Sequence, residues 1–147
     1  MKTIFEKSTR DELIARIEML NENSKAQWGR MNIYQMLKHC TLWEEMVRNK
    51  SIYKRVLLGR LFGRMALKNM LKEGKRLPRN SPTVPELRIR SNGNVSVEKA
   101  KWIDLIEQYE HYTNPGFVHP FFGKMTTEQI GYQAYMHADH HLRQFNC

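Results

Sequence analysis

Helical spacing of apolar residues is the feature that most constrains the fold of this chain. Apolar side chains recur every three or four positions in several separate stretches, and this spacing gives a helix one face to bury against a neighbour. Thr9 and Glu12 match a capping box, so we predict a first helix over residues 10–22. Its apolar positions are Leu13, Ile14, Ile17 and Leu20. No stretch alternates long enough to indicate a sheet.

A second capping box precedes a strongly apolar stretch. Asn32 and Gln35 have the spacing to begin a helix, and one histidine, His39, lies within the apolar stripe that follows. Cys40 is adjacent to His39, but successive helical residues diverge by about 100°. We therefore predict that Cys40 fills the core and forms no nucleophile pair. The stripe consists of Ile33, Met36, Leu37, Cys40, Trp43 and Val47.

Three further helices are predicted from the same kind of pattern. The first stretch is predicted to form one or two amphipathic helices, interrupted near Gly59 and Gly63. The last begins with a capping box formed by Thr126 and Gln129. These helices are predicted over residues 53–71, over residues 97–112, and from Thr126 to about Phe145.

The connections complete the predicted architecture. Residues 74–95 are rich in Pro, Gly, Asn and Ser, which predicts a long loop, and loops of such length are often functional. Four principal helices with long connections favour an all-α fold, a four-helix bundle with additional short helices and a long Pro- and Gly-containing loop. At 147 residues, we expect residues 1–147 to form a single domain.

The positive charge of the chain belongs to one segment. Of the 24 Lys and Arg residues, ten lie between Arg48 and Arg76, together with the single acid Glu73. The rest of the chain is therefore electrically neutral, although the whole carries +9. We call residues 48–76 the basic segment. It has three interpretations: it is a solvated helix face, it binds an anionic partner, or it lines the mouth of the site and attracts an acidic substrate. No recognition module accompanies it, so nucleic acid is not favoured.

Several protein classes do not fit this composition. A hydrophobic content of 41% is too high for a disordered chain. No apolar run approaches the roughly 20 residues that a membrane-spanning helix needs, and residues 1–8 lack the apolar core of a secretory signal. With Cys40 and Cys147 as the two cysteines, a disulfide framework is not expected, and we predict a cytoplasmic protein without a membrane partner.

The predicted last helix carries an unusual number of histidines. Its Gln and His side chains crowd beside the apolar arc, where a buried imidazole needs hydrogen-bond partners. His137 and His141 are four residues apart and share a helical face, the arrangement in which two imidazoles hold one metal. His39 is the candidate third ligand, which would suit Zn²⁺, Ni²⁺ or Fe²⁺ and leave an open position. The alternative is that these histidines are exposed, cap the core or form a polar network.

Four other residues are weaker candidates. Gln144 either orients a bound water or substrate or satisfies a buried carbonyl, and we favour the carbonyl. His140 lies at the edge of the same arc, where it either serves as a base beside the ligands or stays outside the site, and it is not expected to be a ligand. Asp139 is predicted to face solvent. His119 lies in the connector before the last helix, where it either reaches the open end of the bundle or has a structural role beside Pro120.

Taken together, these motifs resemble an uncharacterised branch of the DinB/YfiT-like superfamily over nearly the whole chain. The resemblance implies a four-helix bundle, commonly a dimer, with a divalent metal held by His39, His137 and His141. Superfamily members include thiol-dependent transferases and isomerases and metal-dependent hydrolases, none of which transfers automatically. The motifs are Trp28-Gly29-Arg30-Met31-Asn32, Met36-Leu37-Lys38-His39-Cys40, Pro82-Thr83-Val84-Pro85-Glu86-Leu87, His119-Pro120-Phe121-Phe122-Gly123 and His137-Ala138-Asp139-His140-His141-Leu142-Arg143-Gln144-Phe145.

Two hypotheses of different classes follow. In the first, the chain is a metal-binding, DinB-like homodimer that acts as a metal-dependent hydrolase or thiol transferase on an anionic small molecule. The metal would activate a water or a thiol. In the second, the chain is a non-catalytic helical module whose basic segment, residues 48–76, contacts an anionic partner.

Overall fold

The computed structural model describes residues 1–72 and 75–147, and these residues are mostly helical. This confirms the predicted all-α class. The described residues form five α-helices, two 3₁₀ turns and two strands of two residues each. They are α1 (Lys7–Glu18), α2 (Ile33–Val47), α3 (Leu57–Met70), a 3₁₀ turn (Pro85–Leu87), α4 (Val95–Glu107), a 3₁₀ turn (Gln108–His111), β1 (Val118–His119), β2 (Gly123–Lys124) and α5 (Thr127–Gln144).

The capping boxes of α2 and α5 are both formed as predicted. The Asn32 side-chain oxygen accepts from the Gln35 amide at 2.9 Å, and the Gln35 side-chain oxygen accepts from the Asn32 amide at 3.0 Å. Thr126 and Gln129 exchange the equivalent bonds at 3.2 and 3.0 Å. Each box satisfies two amides that the helix leaves unpaired, and it therefore fixes where the histidine-bearing helices begin.

The predicted start of α1 is wrong. The helix runs over Lys7–Glu18 and Glu6 precedes it without a side-chain cap, so Thr9 is a buried residue inside the helix and not its cap. The chain before α1 is fixed by tertiary contacts, because the Ile4 amide donates to the Gly131 carbonyl at 3.2 Å. The Arg10 guanidinium donates to the Phe5 carbonyl at 2.7 Å.

Helices α1, α2, α4 and α5 pack on one another around the core. Helix α2 contacts α4 and α5, and α1 contacts the same two helices. The whole apolar stripe predicted for α2 is buried. Cys40 is fully buried, and burial raises the pKa of its thiol well above the ordinary value, as expected of a packing residue.

Helix α3 differs from its prediction in two ways. It is one uninterrupted helix, because Gly59 and Gly63 face the backbone of Phe121 instead of breaking the helix. A Cβ atom at Gly59 or Gly63 would lie 2.4 or 2.1 Å from the Phe121 carbonyl oxygen. The Gly-x-x-x-Gly spacing thus marks a close approach, and the large apolar side chains of Leu57, Leu61, Phe62 and Met65 are exposed to solvent.

The connections hold smaller elements whose positions were not predicted. The connector before α5 is an antiparallel hairpin in which His119 pairs with Gly123. The predicted helix over 97–112 ends as a 3₁₀ turn after Glu107. Glu73 of the basic segment and Gly74 of the predicted loop lie outside the described residues. The described part of the predicted loop over 74–95 contains the turn Pro85–Leu87. Over residues 1–72 and 75–147, the helices are too short or too polar to cross a membrane.

Candidate metal centre

Three histidines from two helices converge at one point. His39 comes from α2, and His137 and His141 come from adjacent turns of α5. One ring nitrogen of each lies within 4.8 Å of the others, and the Nε2 atoms of His39 and His137 are 3.1 Å apart. A tetrahedral ion with metal–nitrogen bonds of about 2.0–2.1 Å separates its ligand nitrogens by about 3.4 Å. The cluster therefore has the size of a metal site.

The His39 ring is oriented by a backbone carbonyl. Its Nδ1 lies 3.0 Å from the carbonyl oxygen of Leu87, in the 3₁₀ turn Pro85–Leu87. A carbonyl only accepts hydrogen bonds, so Nδ1 carries the proton and Nε2 presents a lone pair. This orientation of a ligand ring through its second nitrogen is usual in metal sites.

The His141 ring is oriented in the same way by a side-chain amide. Its Nδ1 lies 2.9 Å from the Gln144 side-chain oxygen, while the Gln144 side-chain nitrogen donates to the Trp28 carbonyl at 2.8 Å. The second bond fixes which end of the amide faces His141. Nε2 of His141 is therefore also unprotonated. Gln144 thus satisfies a backbone carbonyl, the alternative that the sequence favours, and it also orients a candidate ligand.

Gly29 has no side chain, and the Gln144 side chain occupies the space that one would fill. A Cβ atom at Gly29 would lie 2.6 Å from the Gln144 side-chain nitrogen, and the backbone there has a φ of +82°. Both the space and the backbone conformation favour glycine. The Trp28-Gly29 pair therefore belongs to the support of the His141 ring.

The third ring, His137, is held by stacking. The Trp43 ring lies 4.5 Å from it, centroid to centroid, at an interplanar angle of 18°. Trp43 is itself buried and comes from the same stripe of α2 as His39. Stacking on a buried neighbour therefore holds the His137 ring in place.

Burial keeps all three imidazoles neutral. Desolvation lowers the pKa of His39 below its ordinary value and lowers those of His137 and His141 well below it. Neighbouring imidazoles add to the effect, because a charge on one disfavours a charge on the next. Neutral imidazole is the form that coordinates a metal.

Two neighbours on α5 lie outside the cluster. His140 is buried against the edge of His141, with ring centroids 5.1 Å apart at 88°, so it is not among the converging nitrogens, as predicted. The prediction that Asp139 faces solvent is wrong. Its carboxylate pairs with Arg16 at 3.0 Å and Arg143 at 2.8 Å, because α1 packs against α5 on that side.

His119 lies in strand β1 of the hairpin and contacts Gln133 of α5. Its Nδ1 accepts from the amides of Phe121 and Phe122 at 3.0 and 3.2 Å, so the proton is on Nε2. This is the structural role beside Pro120 that the sequence left open. Burial, with a smaller effect from Arg55, lowers the pKa of His119 to about 3.

Gln133 connects His119 to the histidine face of α5. The side-chain amide of Gln133 lies 3.2 Å from Nε2 of His119, and its oxygen is buried without a hydrogen-bond partner among the described residues. Because Nε2 of His119 is a donor, the amide oxygen must face it. An NH₂ group then occupies the buried position, one helical turn before His137.

Three groups that shape this site were not predicted in that role. The Leu87 carbonyl has no side-chain signature, and Trp43 was predicted as a core residue, which it also is. Gln133 had a detectable signal, because it shares the helical arc of His137 and His141, but nothing in the pattern linked it to His119.

The comparisons with known proteins give a family without a function. A family model described as "Protein of unknown function (DUF1569)" matches residues 5–147. Neither the curated proteins nor the solved structures contain a significant match.

Proposed function

The chain belongs to the DUF1569 family of proteins of unknown function, and we propose that it is a metal-binding protein whose divalent ion is held by His39, His137 and His141. The observation that carries the proposal is the convergence of unprotonated nitrogens. The Leu87 carbonyl and Gln144 leave Nε2 of His39 and of His141 unprotonated, and one ring nitrogen of each of the three histidines lies within 4.8 Å of the others. A cation at this point would accept the lone pairs.

The donor set suits a reactive site. Three neutral imidazoles suit Zn²⁺, Ni²⁺ or Fe²⁺ and leave at least one position for another ligand. An ion held there would supply the Lewis acidity that activates a water or thiol near neutral pH. We therefore propose a metal-dependent hydrolase or thiol transferase, of the DinB-like kind. The mutual packing of α1, α2, α4 and α5 supports the four-helix bundle that this kinship implies.

The surrounding residues have separable tasks in this proposal. Trp43 covers one face of His137 and excludes water from it. Gln133, held by His119, offers an NH₂ donor to a substrate carbonyl or carboxylate beside the ligands. Arg55 brings the basic segment toward His119 through its bond to the Pro120 carbonyl at 3.2 Å. These donors favour an anionic small molecule. A homodimer, a cytoplasmic location and a single domain over residues 1–147 remain predictions.

Metal analysis tests the site directly. Protein purified without a His tag and reconstituted with Zn²⁺, Ni²⁺ or Fe²⁺ is expected to retain one equivalent of metal after gel filtration. His137→Ala/His141→Ala should retain none. His111→Ala is the matched control, because His111 is exposed and outside the cluster, and it should bind like the parent. Lack of stoichiometric metal in the parent would refute the proposal.

Turnover separates the two reactions. The reconstituted protein is assayed on carboxylate-bearing esters and amides, and on thiol transfer to an electrophile with small anionic thiols as donors. Gln133→Leu should raise KM for the anionic substrate more than it lowers kcat, whereas His137→Ala should abolish turnover. Stoichiometric metal without either activity would support the metal site and contradict the proposed hydrolase and thiol transferase activities.

The second hypothesis assigns a binding role to the basic segment and makes no use of the histidines. It predicts association with heparin or duplex DNA that weakens steeply as salt rises. Flat salt dependence or no binding would contradict a polyanion partner, with no bearing on the metal.

A further inference from the structure

The outward surface of α3 is apolar, although the helix belongs to the basic segment. Its side chains at five positions within two and a half turns are each 50 to 74% exposed. At about 100° per residue they occupy one arc of about 140°. We call them the apolar face of α3: Leu57, Leu58, Leu61, Phe62 and Met65.

This face is turned outward by the glycines on the other side of the helix. Gly59, Gly63 and Leu67 are the buried residues of α3, and the two glycines let the helix backbone approach Phe121 closely. The Val56 amide also donates to the Pro120 carbonyl at 3.1 Å. The helix is thus fixed on the hairpin by its small residues, with its large apolar residues left in solvent.

Cations surround the apolar face. Arg60 and Arg64 follow one edge of it, Lys68 lies one turn beyond Met65, and Lys54 precedes the helix; all four are exposed. None of them pairs with a carboxylate in the described part of the chain. The chain outside residues 48–76 is neutral, and four of the ten cations of the basic segment lie beside this one patch.

We propose that the apolar face of α3 docks on the surface of an anionic lipid bilayer, with the helix axis in the plane of the membrane. A contiguous apolar patch of this kind marks an interaction site. A helix with Leu and Phe on one face and Lys and Arg beside them is typical of binding at the bilayer interface. The long basic side chains reach the headgroups while their stems remain in apolar contact.

Charge argues against the other occupants. A second copy of α3 would bring identical cationic edges together with no carboxylate to pair them. The phosphates of a nucleic acid would bind Arg60 and Arg64 but would leave the five apolar side chains exposed to solvent. The bilayer surface is both apolar and anionic. This proposal replaces the predicted absence of a membrane partner, and it does not depend on the metal.

Vesicle binding tests the proposal. The whole protein is floated with vesicles of phosphatidylcholine alone or of phosphatidylcholine with phosphatidylglycerol. We expect binding to the anionic vesicles only, weakened by salt. Each Lys or Arg near an anionic surface strengthens binding about fivefold, so Arg60→Gln/Arg64→Gln should weaken it on the order of 25-fold. Leu61→Ser/Met65→Ser should weaken it at least on the order of tenfold.

Two control variants replace exposed apolar or cationic side chains outside the basic segment. Met19→Ser/Val97→Ser removes two exposed apolar side chains, 59% and 64% exposed, and Lys25→Gln/Arg90→Gln removes two exposed cations. Both should bind vesicles like the parent. A Phe62→Trp reporter should be quenched by brominated lipid, which locates the apolar face in the membrane.

Three results would overturn the proposal. The first is equal binding to neutral and anionic vesicles, or an equal loss in the control variants. The second is a dimer in solution that Leu61→Ser/Met65→Ser dissociates, which would assign the face to a second copy. The third is tighter binding to duplex DNA than to vesicles, insensitive to Leu61→Ser/Met65→Ser.

Discussion

Gln144 is the residue whose role is most specific to the candidate metal centre. Its oxygen holds the proton of His141 on Nδ1, and its nitrogen is anchored on Trp28. Gln144→Met keeps the length of the side chain and removes both bonds. Loss of such an orienting partner typically lowers metal affinity 10–100-fold, and we expect a decrease of about that size for this variant.

Competition with a chromophoric chelator measures this change in affinity. Gln144→Glu is the conservative control, because a carboxylate still accepts from Nδ1 of His141 while losing the bond to the Trp28 carbonyl. It should retain most of the affinity that Gln144→Met loses. Equal affinities in the parent and Gln144→Met would show that the amide does not orient a ligand.

The residues of the site differ in how far the sequence predicts them. His137 and His141 share a face because helical spacing is local, and His39 follows from its place in an apolar stripe. The Leu87 carbonyl was not predictable, since every residue has one and its position depends on how residues 75–94 return to α2. Gln144 was assigned to a carbonyl, but its second bond required the three-dimensional structure.

Among the elements, α3 shows why apolar periodicity alone does not predict which face is buried. The pattern correctly predicts an amphipathic helix between Tyr53 and Leu71, yet its large apolar residues are outside. The inward face is set by Gly59 and Gly63, whose signature is the absence of a side chain. Local spacing predicts the helices with caps well, whereas docking depends on the shape of the partner, here the backbone of Phe121.

The docking of α3 predicts an unusual response to alanine. In an exposed helix, Gly→Ala stabilises by about 1 kcal/mol. At Gly63 the new Cβ atom would lie 2.1 Å from the Phe121 carbonyl oxygen, which cannot be relieved by rotating a side chain. We expect Gly63→Ala to lower the free energy of unfolding by about 1–3 kcal/mol.

Urea unfolding measures this effect, with Asn69→Ala as the control. Asn69 is exposed on the same helix, so its replacement should stabilise the protein by a few tenths of a kcal/mol. If Gly63→Ala also stabilised, the contact between α3 and the hairpin would not contribute to the fold.

At the scale of the whole molecule, buried ionisable groups make stability depend on pH. Burial lowers the pKa of His39, His137 and His141 and takes that of His119 to about 3. These imidazoles stay neutral in the folded protein but take up protons on unfolding below about pH 6.5. Acidification through that range therefore lowers the free energy of unfolding of the metal-free protein.

Glu44 acts in the opposite direction. It is buried in α2 beside Arg48, whose Nη1 is 3.2 Å away, and the Tyr109 hydroxyl donates to it. Burial nevertheless raises its pKa from 4.5 to about 7. The folded protein therefore binds a proton that the unfolded chain releases above about pH 4.5. The stabilisation is complete below that pH and is lost as the pH rises through about 7, a change of about 3 kcal/mol.

Glu44→Gln should therefore change the pH profile of the whole molecule. In the parent, protonation of Glu44 on acidification stabilises the folded protein and offsets the destabilisation by the buried histidines. The variant lacks this stabilisation, so its free energy of unfolding should fall more steeply between about pH 8 and 4.5. The additional decrease should be about 3 kcal/mol relative to the parent. Urea unfolding with a chelator present, followed by tryptophan fluorescence, measures the two curves. Glu45→Gln, which removes a carboxylate paired with Lys101 at 2.7 Å on the same helix, controls for the loss of a carboxylate. Parallel curves for Glu44→Gln and the parent would show that Glu44 is ionised throughout this range, in which case Arg48 outweighs the cost of burial.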